Sequence, residues 1–216
     1  PNGVSSSYLR NSVVPILNFT LKYANPVMIF GISTTYMTLT PRLFSSDNYN
    51  ADVPQKYSTN NSISGISAMV FAKFMVNEFT AKFEGVYGSN VSDLLMLGGY
   101  AVKSVNAATG AEEYTSTNTF SVWGDLSYGK VLELGIFAGY TKNLGTEANN
   151  VGTYYSRGSN IEDVFRVSPR IKYKMGNVKF GAEVEYTSAA YGTPNDNNKG
   201  KVENSTSVAN SRLLLT

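Results

Sequence analysis

Asp163–Thr187 reads DVFRVSPRIKYKMGNVKFGAEVEYT, and its alternation decides the fold. Strand side chains point to opposite faces with a period of two. Phe165, Val167, Pro169, Ile171, Tyr173 and Met175 therefore share one face, and Arg166, Ser168, Arg170, Lys172 and Lys174 the other. Gly176-Asn177 is a two-residue hairpin turn. Beyond it Val178, Phe180, Ala182, Val184 and Tyr186 alternate with Lys179, Gly181, Glu183, Glu185 and Thr187. A two-residue turn pairs Met175 with Val178, which sets Arg170 opposite Glu183 and Ser168 opposite Glu185. The hairpin is a ribbon with an apolar face ending in aromatics and a charged face, suited to a wall between lipid and water.

The same pattern recurs outward from this hairpin. Leu17, Phe19, Leu21 and Tyr23 alternate with Asn18, Thr20 and Lys22 before Asn25-Pro26 turns the chain. Met28, Phe30, Ile32 and Tyr36 then face outward, with Gly31, Ser33 and Thr35 inward. Ser62–Val76 and Phe79–Gly88 form a second hairpin about Asn77-Glu78, and its register sets Lys73 against Lys82. Like charges directly opposite repel, so the diagonal Glu84 or water is expected to relieve them. Thr117–Tyr128 and Leu132–Tyr140 form a third hairpin, with Trp123 inward and close to Phe137.

Tight reversals fall near residues 25, 77, 130 and 176, and polar connections separate them: Phe44–Asn61, Ser89–Thr115, Thr141–Glu162 and Ser188–Ser207. Short turns at one end and long loops at the other are the layout of outer-membrane barrels. To keep every tight turn on one side, Ser89–Thr115 must add no net crossing. It is read as an outer loop whose apolar piece Leu94–Leu97 packs against the barrel or into its mouth. About nine crossings result, whereas bacterial single-chain barrels have even counts. Residues 1–216 are therefore expected to form a single barrel domain that is part of a larger barrel, with at least one further strand upstream and more chain beyond Thr216. Pro1–Asn11 reads as loop.

Composition narrows the function. Hydrophobic residues make up 42% and charged residues 16% of the chain, with 15 Tyr and 19 Gly. No apolar run approaches the ~20 residues of a transmembrane helix, so insertion in a bilayer requires a barrel. The net charge of +2 gives no footprint for nucleic acid. Neither Cys nor His is present, which excludes thiolate chemistry, Cys/His zinc sites and imidazole-dependent triads. The chain reads as a non-enzyme without a cofactor or metal. Asp47, Asp52, Glu112, Glu113, Glu162 and Asp163 lack calcium-loop spacing and read as solubilising loop acids.

The alternating hairpins, the Tyr/Phe-flanked strands and the stretch Ser92–Tyr100 (SDLLMLGGY) resemble the porin-like outer-membrane β-barrels of Gram-negative bacteria, of the Bacteroidetes type. The resemblance covers most of the chain. It implies an all-β antiparallel transmembrane barrel with short periplasmic turns, passive passage of small hydrophilic solutes, and a trimer. The family's usual terminal aromatic is absent at Thr216.

The aromatics support that orientation. Tyr23, Phe79, Tyr128, Tyr173 and Phe180 lie near tight turns, and Tyr36, Tyr87, Tyr140, Phe165 and Tyr186 near the loop ends. Phe165 to Tyr173 spans ~20 Å of height for a strand tilted ~40°, close to the ~25 Å apolar band of such barrels. Inward cations (Arg166, Arg170, Lys172, Lys174, Lys179, Lys22, Lys73, Lys82) outnumber inward acids (Glu84, Asp125, Glu133, Glu183, Glu185). A water-filled lumen with that excess favours anions. The alternatives are a non-conducting barrel that anchors or docks an envelope complex, and a soluble β-sandwich whose apolar row is core.

Overall fold

The computed structural model describes residues 11–46, 55–92 and 97–216. Pro1–Arg10, Asp47, Asp52 and Leu94–Met96, on which some expectations rest, lie outside the described residues. Among the described residues, thirteen strands are formed: β1 Ser12–Ala24, β2 Met28–Leu39, β3 Phe44–Ser46, β4 Lys56–Ser58, β5 Ile63–Val76, β6 Phe79–Ser89, β7 Gly98–Val105, β8 Glu112–Tyr128, β9 Leu132–Thr146, β10 Tyr154–Arg157, β11 Ile161–Met175, β12 Val178–Asn195 and β13 Lys201–Leu215. Every ladder is antiparallel.

Nine strands run edge to edge in the order β1-β2-β5-β6-β8-β9-β11-β12-β13, and β3 and β4 form a separate small hairpin. The sheet is open, with β1 and β13 as its two edges. All tight turns share one rim: the Met75 amide donates to Val27, Gly129 to Glu78, and Lys174 to Val131. Asn25 builds the first turn with its side chain, accepting from the amides of Val27 and Met28 at 2.9 and 2.8 Å. In the last, Gly176 supplies a φ of 61° that a β-carbon disfavours.

The expected register of the opening hairpin is present, with Met175 opposite Val178 and Arg170 opposite Glu183. Ser89–Thr115 adds no crossing, because β6 pairs directly with β8. Among its described residues, Gly98–Val105 form β7, which prolongs the line of β6 along the upper end of β8, and Glu112–Thr115 begin β8. There the small strand β10 pairs with the far edge of β7. Tyr100 is buried against Met37, Leu39 and Ile63, with Tyr114 and Tyr155 packed around them. Met37 and Ile63 continue the polar rows of β2 and β5, so this lid of β7 and β10 lies over the polar face. Among the described residues, Tyr100–Val102 are each 1% exposed or less and Leu97 is buried beside them.

The connections are shorter than expected. The expected loop Ser188–Ser207 is largely strand, since β12 continues to Asn195 and β13 begins at Lys201. A single 3-10 turn at Asp196–Asn198 joins them, capped by the Asn195 side chain. Thr141–Glu162 likewise contributes the end of β9 and all of β10, and Phe44–Asn61 contains β3 and β4. These strand portions carry Ser, Thr, Ala and Asn on both faces, so no apolar alternation marks them in the sequence.

Burial is inverted relative to a water-soluble sheet. The large side chains of the apolar rows are mostly exposed, among them Phe19 at 63% and Leu213 at 65%. The opposite face is the enclosed one: Ser168 is 1%, Asp125 7% and Glu185 8% exposed.

Gly99 holds the lid together. Its φ is 137°, and a β-carbon there would sit 2.5 Å from the Tyr155 carbonyl oxygen. Gly99→Ala is expected to unseat β10 from β7 while leaving the nine-strand sheet intact. Limited proteolysis between residues 147 and 160 should then accelerate; unchanged cleavage would show that the backbone absorbs the methyl group.

Candidate functional site

The polar face is built by strand parity. The ladders place Arg166, Arg170, Lys172 and Lys174 of β11 on one face with Lys179, Glu183 and Glu185 of β12. The same face continues through Glu133 of β9 and Asp125 of β8 to Lys82 and Glu84 of β6 and Lys73 of β5. All ten residues expected to line this face therefore share it. Their partners differ from those expected.

Arg170 lies opposite Glu183 in the ladder, yet its guanidinium forks onto Asp125, with Nη1–Oδ2 at 2.5 Å and Nη2–Oδ1 at 3.0 Å. Asp125 is two strands away, on β8. Neighbouring strands stand ~4.8 Å apart, so the side chain must lie flat across β9 to reach it. Gly135 leaves that path open: a β-carbon there would stand 2.8 Å from Arg170 Cζ. Lys82 also reaches Asp125, at 3.6 Å. Asp125, not Glu84, thus offsets the opposed Lys73–Lys82 pair.

Glu185 organises a second cluster. Arg212 of β13 donates to Glu185 Oε1 from Nε at 3.0 Å and Nη2 at 2.7 Å. Arg166 holds Glu185 Oε2 at 3.2 Å and also donates to Thr187 at 3.0 Å. Two enclosed carboxylates therefore carry four cations between them. Arg212 is the charged residue that the sequence reading missed. Its register against Glu185 depends on the turn at Asp196–Asn198, which lies inside the expected loop.

Lys172 pairs with Glu133 at 3.2 Å. Lys174 and Lys179 face each other beside the last tight turn, and with Lys130, Lys172 and Glu133 they line a cleft of about 360 Å³. Among the described residues, Lys22, Lys73, Lys174 and Lys179 have no acid within 4.0 Å. The uncompensated positive charge of the face thus resides on lysines, while the arginines serve as cross-strand ties.

Toward the loop end the polar face becomes neutral and hydroxyl-rich. Asn18 donates to Thr35 at 2.8 Å, Thr20 and Ser33 share a bond of 2.8 Å, and Ser121 and Thr141 another of 2.8 Å. Above this zone an ion pair between neighbouring segments braces the lid. Arg42 holds Glu112 at 3.2 Å and donates to the Tyr155 hydroxyl at 2.6 Å. Burial, with Glu112 beside it, pushes the Tyr114 phenol above its ordinary range. Burial does the same to Tyr154, whose hydroxyl donates to Asp196 at 2.7 Å. Three of the loop acids are paired with cations: Glu112 with Arg42, Glu113 with Lys103, and Glu162 with Lys142.

Trp123 lies on the polar face with its ring centroid 5.8 Å from that of Phe137, the planes tilted by 32°. Its indole N–H donates to Glu84 at 3.0 Å, which is what Glu84 does in place of relieving the lysine pair. Comparison of the chain with protein-family models, curated proteins and solved structures gave no match.

Proposed function

We propose that this chain forms part of the wall of an outer-membrane β-barrel channel through which small hydrophilic solutes diffuse passively, anions more readily than cations. The inverted burial carries the reading. A continuous apolar face flanked by Tyr and Phe is what lipid requires, because monomeric soluble proteins rarely expose patches beyond a few hundred Å². An enclosed face of paired charges and hydroxyls suits contact with water. Four tight turns on one rim and the extended strands, lid and loops at the other correspond to periplasmic and external ends.

Both edge strands, β1 and β13, descend from the loop end to the tight-turn end. Pairing them directly would make a parallel ladder. Antiparallel closure takes an odd number of additional strands, the two that meet β1 and β13 ascending (or one strand meeting both), so the wall is part of a larger barrel. Closure is obligatory in lipid, where each unpaired backbone group costs several kcal/mol.

The folded full-length protein should conduct in planar bilayers. The triple substitution of Lys73, Lys174 and Lys179 by Gln is expected to move the reversal potential in a salt gradient toward cation preference, most strongly at low ionic strength. An unchanged reversal potential would remove these lysines from the conduction path. Absence of conductance from a demonstrably folded barrel would end the channel reading.

The lid of β7 and β10 favours a second reading, a non-conducting barrel that anchors or docks an envelope complex. That reading predicts an occluded lumen together with a stoichiometric partner on purification.

A further inference from the structure

The chain contains a single tryptophan, and it occupies an unusual place. Tryptophan in membrane walls gathers at the lipid–water interface, as the Tyr and Phe of the apolar face do here. Trp123 instead lies on the polar face, in the row Phe71–Glu84–Trp123–Gly139–Arg166. Phe137 is its diagonal neighbour in the next row, beside Asp125. Gly139 makes room for the Phe137 ring, since a β-carbon there would stand 3.1 Å from Phe137 Cζ; the Trp123 atom nearest it would be Cβ, at 3.3 Å.

The indole is fixed at its N–H by Glu84 and at one side by Phe137. Neither ring is enclosed, and both stay partly accessible on the polar face. Groups of both signs surround them: Glu84, Lys82, Asp125 and Arg170, the last three already tied to one another.

We infer that Trp123 and Phe137 form a stacking platform for a sugar ring. A sugar presents a flat C–H face and a rim of hydroxyls. The aromatic pair matches the first, and the fixed carboxylates and cations beside it match the second, the usual division of labour in a ligand site. A simple ion would make no use of the rings, and an apolar solute none of the paired charges. The inference rests on the reading that this face borders water, but its test does not require conduction.

The single tryptophan makes intrinsic fluorescence a probe of this one position. The folded protein in detergent micelles is titrated with glucose, maltose and glucuronate, with glycerol as the control. A saturable change with at least one sugar and none with glycerol is expected. Phe137→Ala, which keeps the probe, should weaken the apparent affinity about fivefold. Flat titrations with all three sugars overturn the inference, as does unaltered affinity in Phe137→Ala. A protein that conducts but gives flat titrations loses the platform and keeps the channel. One that titrates but does not conduct loses the channel and keeps the platform.

Discussion

Asp125→Asn is expected to lower the stability of the folded protein by about 3 kcal/mol, the low end for breaking one partner of a buried ion pair. The carboxylate is 9% exposed and receives both Arg170 and Lys82. An amide in its place leaves those two cations facing each other with no anion between them. The Arg170 side chain is 13% exposed and lies along Gly135, so its retreat into water would cost the packing of that groove. Equilibrium urea unfolding in micelles measures the loss. The double variant Asp125→Asn/Arg170→Gln should recover most of it, because removing both charges leaves neither uncompensated. Wild-type stability in the single variant would show that the cross-strand tie contributes little.

Val70→Arg is the second large effect. Val70 is 58% exposed and lies about midway along the apolar row of β5, between Phe74 and Ile66. In lipid an arginine near the midplane of a barrel's outer face costs ~2–4 kcal/mol. On a water-exposed face the same change stays within about ±0.5 kcal/mol. Met69→Arg, one residue away on the polar face, is expected to be nearly neutral. Refolding into liposomes in the presence of urea compares the two. Equal midpoints for both variants would remove the lipid contact from the apolar face, and with it the membrane reading.

Much of the sheet was legible in the sequence. Alternation from Leu17 to Tyr186 assigned faces correctly because each long strand has one apolar and one polar side. The parity of the tight turns also placed Ser89–Thr115 outside the count of crossings, and β6 does pair with β8 directly. Two kinds of information were hidden. Strand portions such as Ser188–Asn195 and Lys201–Ser207 carry polar residues on both faces, so period-two hydrophobicity had nothing to report. Contacts made across an intervening strand were hidden as well. Register places Arg170 opposite Glu183, but the missing side chain at Gly135 lets the guanidinium lie across β9 to Asp125, two strands away. The pairing of β10 with β7 joins segments about 55 residues apart through Gly98 and Gly99, with no local signal beyond that Gly-Gly pair.

The glycines of the polar face bear on the diameter of any conduit made from this wall. Phe71 lies over Gly31, Arg170 over Gly135, and Phe137 over Gly139. Each bulky group reclines along the backbone where a neighbour has no side chain to prop it up. The free cross-section is then set nearer to the strands themselves than to the reach of an upright arginine or phenylalanine. A methyl group at position 135 would tip the guanidinium toward the axis, so a calibre change could arise from the smallest substitution on the face without altering any charge.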